Sequence, residues 1–321
     1  MTDPIILTTL GQLPVSVYGL ILAAGVGLGC LWMFLNTRHA GLPADTVVRF
    51  ALWAIPLGLI GGRLLFVALR WSLIVNELGW EQIFRVWDGG FALFGVVPGC
   101  LLAALFCAHR MHISAADLLD TAAPGAALAL AFARFAEFFT LQGIGRPVDT
   151  AAFQWFPLAI RDGYGDWLLP VFFWEGIAAL IIAWLAARAL RGKQRRPYDA
   201  VCVFLLGLGV TQVLLESLRT DDILRLGLVK VSQLAAMVCV LAVAVRWIVP
   251  AIHAKCASLR IGLCGAGILI GVGLCVGIEF GLDKSTIPNI ILYLVMALVL
   301  AGIAALVGRL RRMTEAKIVN E

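Results

Sequence analysis

The sequence predicts an all-α fold, a polytopic bundle of membrane-spanning helices, and three observations support this. Apolar residues make up 61% of the 321 residues and charged residues only 14%, whereas soluble domains contain about 45–50% and about 25% respectively. The mean hydropathy is +0.95, and the apolar residues are gathered in long blocks. Because helices satisfy all their backbone hydrogen bonds within lipid, each block is predicted to be a helix. The composition excludes a nucleic-acid-binding protein, a secreted disulfide scaffold and a cytosolic Rossmann enzyme.

A helix that crosses a bilayer needs about 20 mostly apolar residues, and about nine segments meet this requirement. They are roughly 15–36, 48–70, 89–108, 119–142, 168–187, 199–217, 229–249, 258–281 and 288–308. If the N-terminus is outside, fifteen of the 25 Lys and Arg residues fall in inner loops or near the span ends beside them, eight in outer loops or near the span ends beside them, and two deeper within spans. Since basic residues favour the inner side, the sequence predicts an N-out and C-in orientation.

Two of the outer connections, 71–88 and 143–167, are long and aromatic. They hold five of the ten tryptophans, and aromatic residues favour the level of the lipid headgroups. We therefore predict that both segments are interfacial arms that lie on the outer leaflet.

Ionisable residues within the spans are the strongest functional signal, because each costs a few kcal/mol or more in hydrocarbon unless it is paired or hydrated. Six of them fall in the outer half of four predicted helices, and Arg146 follows just beyond the fourth. The six are Arg63, Arg134, Glu137, Glu175, Glu216 and Arg219. They predict a hydrated cavity open to the outer leaflet, and its arginines favour an anionic ligand such as phosphate. The structural alternative is a set of Arg–Glu pairs that hold the helices together.

The cysteines and histidines predict no metal site and no cofactor. The eight cysteines have no C-x-x-C spacing, and the four histidines lie in or beside predicted inner loops, on the wrong side for the cavity. Small buried hydrophobic side chains are the expected role of the cysteines.

Seven segments, in order and at similar spacings over roughly residues 15–246, resemble motifs of the prolipoprotein diacylglyceryl transferase family. The segments are PVSVYGLILAAG, GGRLLFV, VWDGGFALFGVVPG, ARFAEFFTLQGIGRP, LPVFFWE, GVTQVLLESLRTDD and KVSQLAA. The positions that keep the family residue are Tyr18, Gly61, Gly62, Arg63, Arg134, Gly145, Arg146, Pro170, Glu175, Gly209, Glu216, Arg219, Asp222 and Gln233. This family moves diacylglycerol from phosphatidylglycerol to a lipobox cysteine thiol, so the resemblance implies a membrane transferase with a phosphatidylglycerol-like donor.

The chain departs from the family at the positions that activate the thiol. Phe94 stands where the family has its essential histidine, Leu169 replaces a second histidine, and Gln212 replaces an arginine. Glu137 occupies a family asparagine position, and Gln142 a family glutamate position. An imidazole conveniently deprotonates a thiol near neutral pH, so the family chemistry does not transfer directly to this chain.

Three functions remain open. The first is a diverged transferase with a glycerophospholipid or lipid-linked phosphate donor and an acceptor other than the thiol. In it Glu137, with Glu175 or Glu216, supplies the general base, while a set of residues binds the phosphate and headgroup. That set is Arg63, Arg134, Arg146, Arg219, Tyr18, Gln212 and Gly145. The second is an authentic lipoprotein diacylglyceryl transferase with substituted catalytic residues. The third is a membrane protein that binds lipid or a partner without catalysis.

The predicted organisation is a transferase-like core of seven helices over residues 1–249, followed by two additional spans and a basic tail over 250–321. The predicted location is the bacterial inner membrane, with the cavity facing the periplasmic side. The expected partners are a phospholipid donor and an acceptor, which the sequence leaves open between a protein, a glycan and a lipid. No nucleic-acid partner is expected.

Overall fold

The computed structural model describes residues 6–10, 13–86, 89–192, 195–220, 225–226, 229–253 and 258–318. Within this part of the chain, nine helices are long and apolar enough to cross a membrane, which confirms the predicted all-α polytopic fold. They are α1 Val17–Asn36, α2 Thr46–Leu69, α3 Leu93–Met111, α4 Ala115–Ala136, α5 Val171–Leu190, α6 Asp199–Leu218, α7 Val231–His253, α8 Ser258–Lys284 and α9 Asn289–Ile318. The N-out and C-in orientation stays a prediction.

The helix ends differ from the predicted spans by a few residues, and two differences bear on the site. The fourth span was predicted to run to 142, but α4 ends at Ala136 and a single 3₁₀ turn follows over Glu137–Phe139. The fifth was predicted from 168, but Pro170 precedes the first helical residue, Val171. Hydropathy averages over a window and does not register these breaks.

The chain forms two compact units. The first contains residues 1–204 and 219–224, and in it α1 packs on α4, α2 on α3, and α4 on α5. Glycines allow the close crossings: a Cβ on Gly29 would lie 2.5 Å from the carbonyl oxygen of Gly125, and one on Gly61 would lie 2.4 Å from that of Gly95. Small residues at such crossings let helix backbones approach closely in lipid.

The second unit contains residues 205–218 and 225–321. In it α9 packs against both α7 and α8. The division of the chain into a transferase-like core over 1–249 and two additional spans stays a prediction.

In the part of the chain that the structure describes, three two-stranded antiparallel sheets lie between or before the helices. Strand β1 (Ile6–Leu10) pairs with β2 (Leu13–Ser16), β3 (Ile160–Arg161) pairs with β4 (Trp167–Leu168), and β5 (Arg225–Leu226) pairs with β6 (Val229–Lys230).

Both predicted arms are irregular rather than extended helices. The first forms short helical turns from Trp71 to Ile83, and Trp71 meets Trp80 edge to face with ring centroids 5.4 Å apart. The second carries the β3–β4 hairpin, and its rings at Phe153, Trp155 and Tyr164 are exposed. Trp87 lies outside the described residues. That the arms rest on the outer leaflet stays a prediction.

A buried carboxylate fixes the start of α6. The side chain of Asp120 in α4 has no solvent exposure, and it accepts hydrogen bonds from the backbone N–H groups of Tyr198 at 2.9 Å and Val201 at 3.0 Å. Backbone N–H groups at a helix start lack partners within the helix, so Asp120 caps α6 from a neighbouring helix.

Candidate functional site

Two arginines and two glutamates from three parts of the chain meet in the first unit. Arg134 Nη1 lies 2.6 Å from Glu137 Oε1, and Arg134 Nε lies 3.3 Å from Glu175 Oε2. On the other side, Arg219 Nη1 lies 3.3 Å from Glu175 Oε2 and Arg219 Nη2 lies 3.9 Å from Glu137 Oε2. We call these four residues the charge cluster. None of the four side chains is more than 11% exposed, so their charges are paired in a water-poor environment.

The two carboxylates of the charge cluster differ in how well they are paired. Glu175 is the more deeply buried, with 3% of its side chain exposed, and its Oε2 receives both arginines. Glu137 Oε1 accepts from Arg134, but its Oε2 is buried and has no hydrogen-bond donor among the described residues.

The end of α4 places the first two members of the charge cluster. Arg134 is in the last turn, and Glu137 begins the 3₁₀ turn that follows. The backbone carbonyl of Glu137 accepts from the N–H groups of Thr140 at 3.1 Å and Gln142 at 3.2 Å. Gly143 then turns the chain with a φ of +67°, and a Cβ at this position would lie 2.3 Å from Glu137 Oε2. Only a glycine leaves room for the carboxylate there.

Backbone pairing brings the other two members to the same place. The Gly145 N–H donates to Leu169 O at 2.8 Å, and the Leu169 N–H donates to Arg146 O at 3.0 Å, just before α5 and Glu175. Gly145 also forms a bridge with Arg219, and the Thr220 N–H donates to Ile144 O at 3.1 Å. The predicted site residue Gly145 therefore acts through its backbone, and Arg146 lies in the same segment with a partly exposed side chain.

Tyr18 interacts with the charge cluster, and phenylalanines adjoin its members along the chain on α4 and α5 and in the turn after α4. The phenol of Tyr18 is close enough to Glu137 and Arg134 to interact with their charges. Phe135 packs on Phe173 with ring centroids 5.8 Å apart, and Phe138 packs on Phe172 at 6.2 Å. Aromatic rings beside buried ion pairs exclude water, and this strengthens the pairing.

The guanidinium of Arg63 reaches backbone carbonyls, and its predicted role in phosphate binding stays a prediction. Its guanidinium donates to the carbonyl oxygens of Ile83 at 3.2 Å, Arg85 at 3.1 Å and Gly90 at 3.1 Å, and also to those of Gln82 and Gly89. The side chain is buried, with the residue 6% exposed. Arg63 thus holds the segment that leads into α3, and Phe94 lies in the first turn of that helix.

Gln212 and Glu216, also predicted for the site, belong to the second unit. Gln212 donates to Glu216 Oε2, and the ammonium of Lys230 donates to the backbone carbonyl of Glu216. All three residues are buried. Lys230 was counted in the sequence only as an outer-loop charge, because its position at the edge of a span gives no sign of burial.

A second polar group in this unit was missed altogether. Glu279 of α8 is buried, and its Oε1 accepts from the Ser217 hydroxyl and from the Gln233 side-chain amide. The Tyr293 hydroxyl donates to the backbone carbonyl of Ser217 at 3.4 Å. An acidic residue within the eighth span was a signal that could have pointed to this group.

The described residues include no group of three or more His, Cys, Asp or Glu side chains that could hold a metal ion. The site is therefore described by ion pairs and backbone carbonyls alone.

Comparison with known proteins assigns the chain to a family. The family model of prolipoprotein diacylglyceryl transferase matches residues 4–249, which is well over half of the chain. The chain belongs to this family. Prolipoprotein diacylglyceryl transferases are membrane transferases, so the predicted resemblance and the predicted enzyme class are both confirmed.

Three similar relatives all carry the name phosphatidylglycerol–prolipoprotein diacylglyceryl transferase. The protein of Lactococcus lactis subsp. lactis (strain IL1403) is 30% identical over 231 residues, covering 70% of this chain and 85% of the relative. That of Streptococcus pneumoniae (strain Hungary19A-6) is 30% identical over 243 residues, covering 74% and 90%. That of Synechococcus elongatus is 28% identical over 244 residues, covering 73% and 83%. With nine candidate spans and bacterial relatives, this member of the prolipoprotein diacylglyceryl transferase family is a multi-pass membrane protein.

Proposed function

We propose that this protein transfers the diacylglyceryl group of a phosphatidylglycerol-like glycerophospholipid to an acceptor other than a lipobox thiol. The observation that carries the proposal is the charge cluster, in which Arg134 and Arg219 flank two carboxylates in a buried position. Ionisable groups within a membrane mark functional sites by default, and paired guanidinium groups are suited to a phosphate diester.

In this function the two arginines bind the donor phosphate and stabilise the charge that develops on it as the leaving group departs. Glu175, which touches both arginines, holds them in position. We assign Arg146 and Tyr18 to the same headgroup site. Arg63 has a positioning role, since its guanidinium is directed at five backbone carbonyls.

The chemical class of the acceptor depends on which residue can serve as the general base. Phe94 and Leu169 stand at the two family histidine positions, and neither side chain can accept a proton. The base is then a carboxylate, and Glu137 is the carboxylate of the charge cluster with an oxygen that lacks a described donor. A hydroxyl of a protein, a glycan or a lipid is an acceptor that a carboxylate base can serve.

The test uses purified protein in lipid nanodiscs with phosphatidylglycerol labelled in its acyl chains. One arm adds a lipobox peptide, and the other adds an extract of the bacterial cell envelope. We expect labelled product in the envelope arm and none on the peptide. Loss of product in Arg134→Ala, with Arg161→Ala as an exposed control in the β3–β4 hairpin, would tie the activity to the charge cluster. Label on the peptide would instead identify the reaction named for the relatives.

The charge balance of the cluster favours a second candidate, a protein that binds lipid or a partner without catalysis. The two positive and two negative side chains of the charge cluster balance in charge and form four ion pairs, as expected for residues that hold helices together. A protein that retains phosphatidylglycerol through purification but never releases its headgroup would support this candidate.

We also propose that the charge cluster faces the outer side of the inner membrane, with the N-terminus outside. The distribution of basic residues supports this orientation. Reporter fusions at Gly192 and Met313 should then be cytoplasmic, and one near Asp162 should be external. An external Gly192 would place the cluster toward the inner leaflet.

A further inference from the structure

We infer that Glu137 is a built-in counter-ion of Arg134 and Arg219 that the donor phosphate must displace, so that donor binding releases the catalytic base. This inference rests on the proposed function, because it assigns the donor phosphate to the two arginines. It concerns the order of events at the charge cluster: the donor binds first, and only then can the acceptor be deprotonated.

The first support is that Glu137 already occupies an anion position. Its Oε1 lies 2.6 Å from Arg134 Nη1 and its Oε2 lies 3.9 Å from Arg219 Nη2. A carboxylate between two guanidinium groups resembles a phosphate with two oxygens in the same place. Both anions cannot hold the same donors, so lipid phosphate and Glu137 compete for them.

The second support is that Glu137 is hydrogen-bonded through one oxygen only within the described part of the chain, its Oε1 at 2.6 Å from Arg134 Nη1. Its Oε2 is buried without a hydrogen-bond donor among the described residues, and a buried unsatisfied oxygen carries a desolvation cost. Glu175, by contrast, places one oxygen 3.3 Å from both arginines. Displacement of Glu137 breaks a hydrogen bond to one arginine and frees an oxygen that has no described donor, whereas displacement of Glu175 would break contacts to both arginines.

The third support is that Glu137 can leave without a change in the fold. Its backbone is fixed, because its carbonyl accepts from the N–H groups of Thr140 and Gln142 and from the Thr140 hydroxyl. Gly143 presents no side chain beside the carboxylate, because a Cβ at that position would lie 2.3 Å from Glu137 Oε2. We infer that Glu137 leaves Arg134 by rotation of its side chain while its backbone stays in place.

The chemical step then balances as follows. The acceptor hydroxyl gives its proton to the released carboxylate of Glu137, and its oxygen forms a bond to the glycerol carbon of the diacylglyceryl group. The bond between that carbon and the phosphate oxygen breaks, and its electron pair goes to the phosphate held by Arg134 and Arg219. Glu137 finally returns the proton to the departing phosphate ester and pairs with Arg134 again.

The experiment compares the parent protein with Glu137→Gln and with Glu81→Gln, which removes the same charge at an exposed site. Binding of phosphatidylglycerol and of phosphatidylethanolamine is measured by native mass spectrometry of protein titrated with each lipid, and turnover is measured with labelled phosphatidylglycerol. We expect Glu137→Gln to bind phosphatidylglycerol about tenfold more tightly, because the lipid phosphate no longer has to replace a charged hydrogen bond between Glu137 and Arg134. The same variant should lose turnover, because it lacks the base. Glu81→Gln should match the parent in both.

Glu137→Asn is a second variant, used if the glutamine variant is poorly folded, because the family carries asparagine at this position. Unchanged or weaker phosphatidylglycerol binding in both variants would overturn the inference. So would a parent protein that prefers phosphatidylethanolamine by tenfold or more, since an ammonium headgroup would pair with a Glu137 that stays in place. Tighter binding in the variants without any turnover by the parent would support the counter-ion role and refute the proposed transferase activity.

Discussion

Arg134 and Arg219 share a single oxygen of Glu175, which lies 3.3 Å from Arg134 Nε and from Arg219 Nη1. Glu175 thereby joins the end of α4 to the residue that follows α6. Its side chain is the most buried of the charge cluster, and two guanidinium groups at this depth require an anion. The position explains why Glu175 has a structural role whatever the reaction of this protein.

Substitution Glu175→Gln should therefore destabilise the protein strongly. Removal of one member of a buried ion pair costs about 3–5 kcal/mol, because a buried charge is left without its counter-charge; here Arg134 and Arg219 would be left with Glu137 alone as the acidic member of the charge cluster. The measurement is thermal unfolding in detergent, followed by circular dichroism. Glu81→Gln is the control, since Glu81 is 87% exposed and pairs with Arg85 at 3.6 Å. It should change stability by no more than about 0.5 kcal/mol. Equal stability of the two variants would contradict the role given to Glu175.

One pairing within the charge cluster could be predicted from the sequence. The i, i+3 spacing of Arg134 and Glu137 places them on one helix face, and the two side chains pair although α4 ends at Ala136, between them. The meeting of Glu175 and Arg219 with this pair depends on the backbone pairing of Gly145 with Leu169 and Arg219. No pattern along the chain reports the register of that irregular segment.

The partners of Arg63 could not be predicted from the sequence either. Backbone carbonyls are present at every residue, so a sequence does not show which of them will accept hydrogen bonds from a buried arginine. An arginine with no acidic partner nearby in the sequence therefore suggests a bound ligand. The five acceptors of Arg63 are the backbone carbonyls of Gln82, Ile83, Arg85, Gly89 and Gly90, which lie at least 19 residues away along the chain. Glu279 and Lys230 were missed for a related reason, since their partners are on other helices.

Substitution Gly143→Ala should disturb the charge cluster directly. The new Cβ would lie 2.3 Å from Glu137 Oε2 and 2.8 Å from Phe172 Cβ, at a residue with φ +67°. Gly41→Ala isolates the backbone contribution, because Gly41 has φ +69° and open space around it. We expect the control to lose about 1–2 kcal/mol of unfolding free energy from the left-handed backbone alone, and Gly143→Ala to lose more through overpacking. Equal losses would mean that Glu137 is not confined by this glycine.

Arginine and lysine should not be interchangeable at position 134. Arg134 reaches Glu137 through Nη1 and Glu175 through Nε, a two-point contact that a lysine ammonium cannot reproduce. We expect Arg134→Lys to lose as much copurifying phospholipid, counted by mass spectrometry, as Arg134→Ala. Arg161→Lys, at a residue whose side chain donates to the carbonyl of Gly165 in an exposed turn, should retain it. Full retention by Arg134→Lys would show that charge alone suffices.

Substitution Asp120→Ala should weaken the start of α6. The variant leaves the N–H groups of Tyr198 and Val201 without the acceptor that they now have at 2.9 and 3.0 Å. Loss of a helix cap costs about 0.5–2 kcal/mol, and burial of the freed donors adds to it. Asp45→Ala is the matched control, because Asp45 precedes α2 without a side-chain capping bond. Hydrogen exchange should quicken at the beginning of α6 in the first variant only, and a uniform response of both helices would argue against a specific cap.

Glu279 offers a test of what the eighth span contributes to the second unit. Its Oε1 accepts from Ser217 of α6 and from Gln233 of α7, so one side chain of α8 provides the acceptor for buried donors on two other helices. Glutamine at this position keeps a carbonyl oxygen that can accept both bonds, and Glu279→Gln should lose less than about 1 kcal/mol of unfolding free energy. Leucine fills a similar volume but leaves the Ser217 hydroxyl and one Gln233 donor buried without an acceptor, at about 1–3 kcal/mol each. Thermal unfolding in detergent distinguishes the two variants. If Glu279→Leu were as stable as Glu279→Gln, the hydrogen bonds of Glu279 would contribute nothing measurable, and apolar packing of α8 and α9 alone would hold this part of the protein.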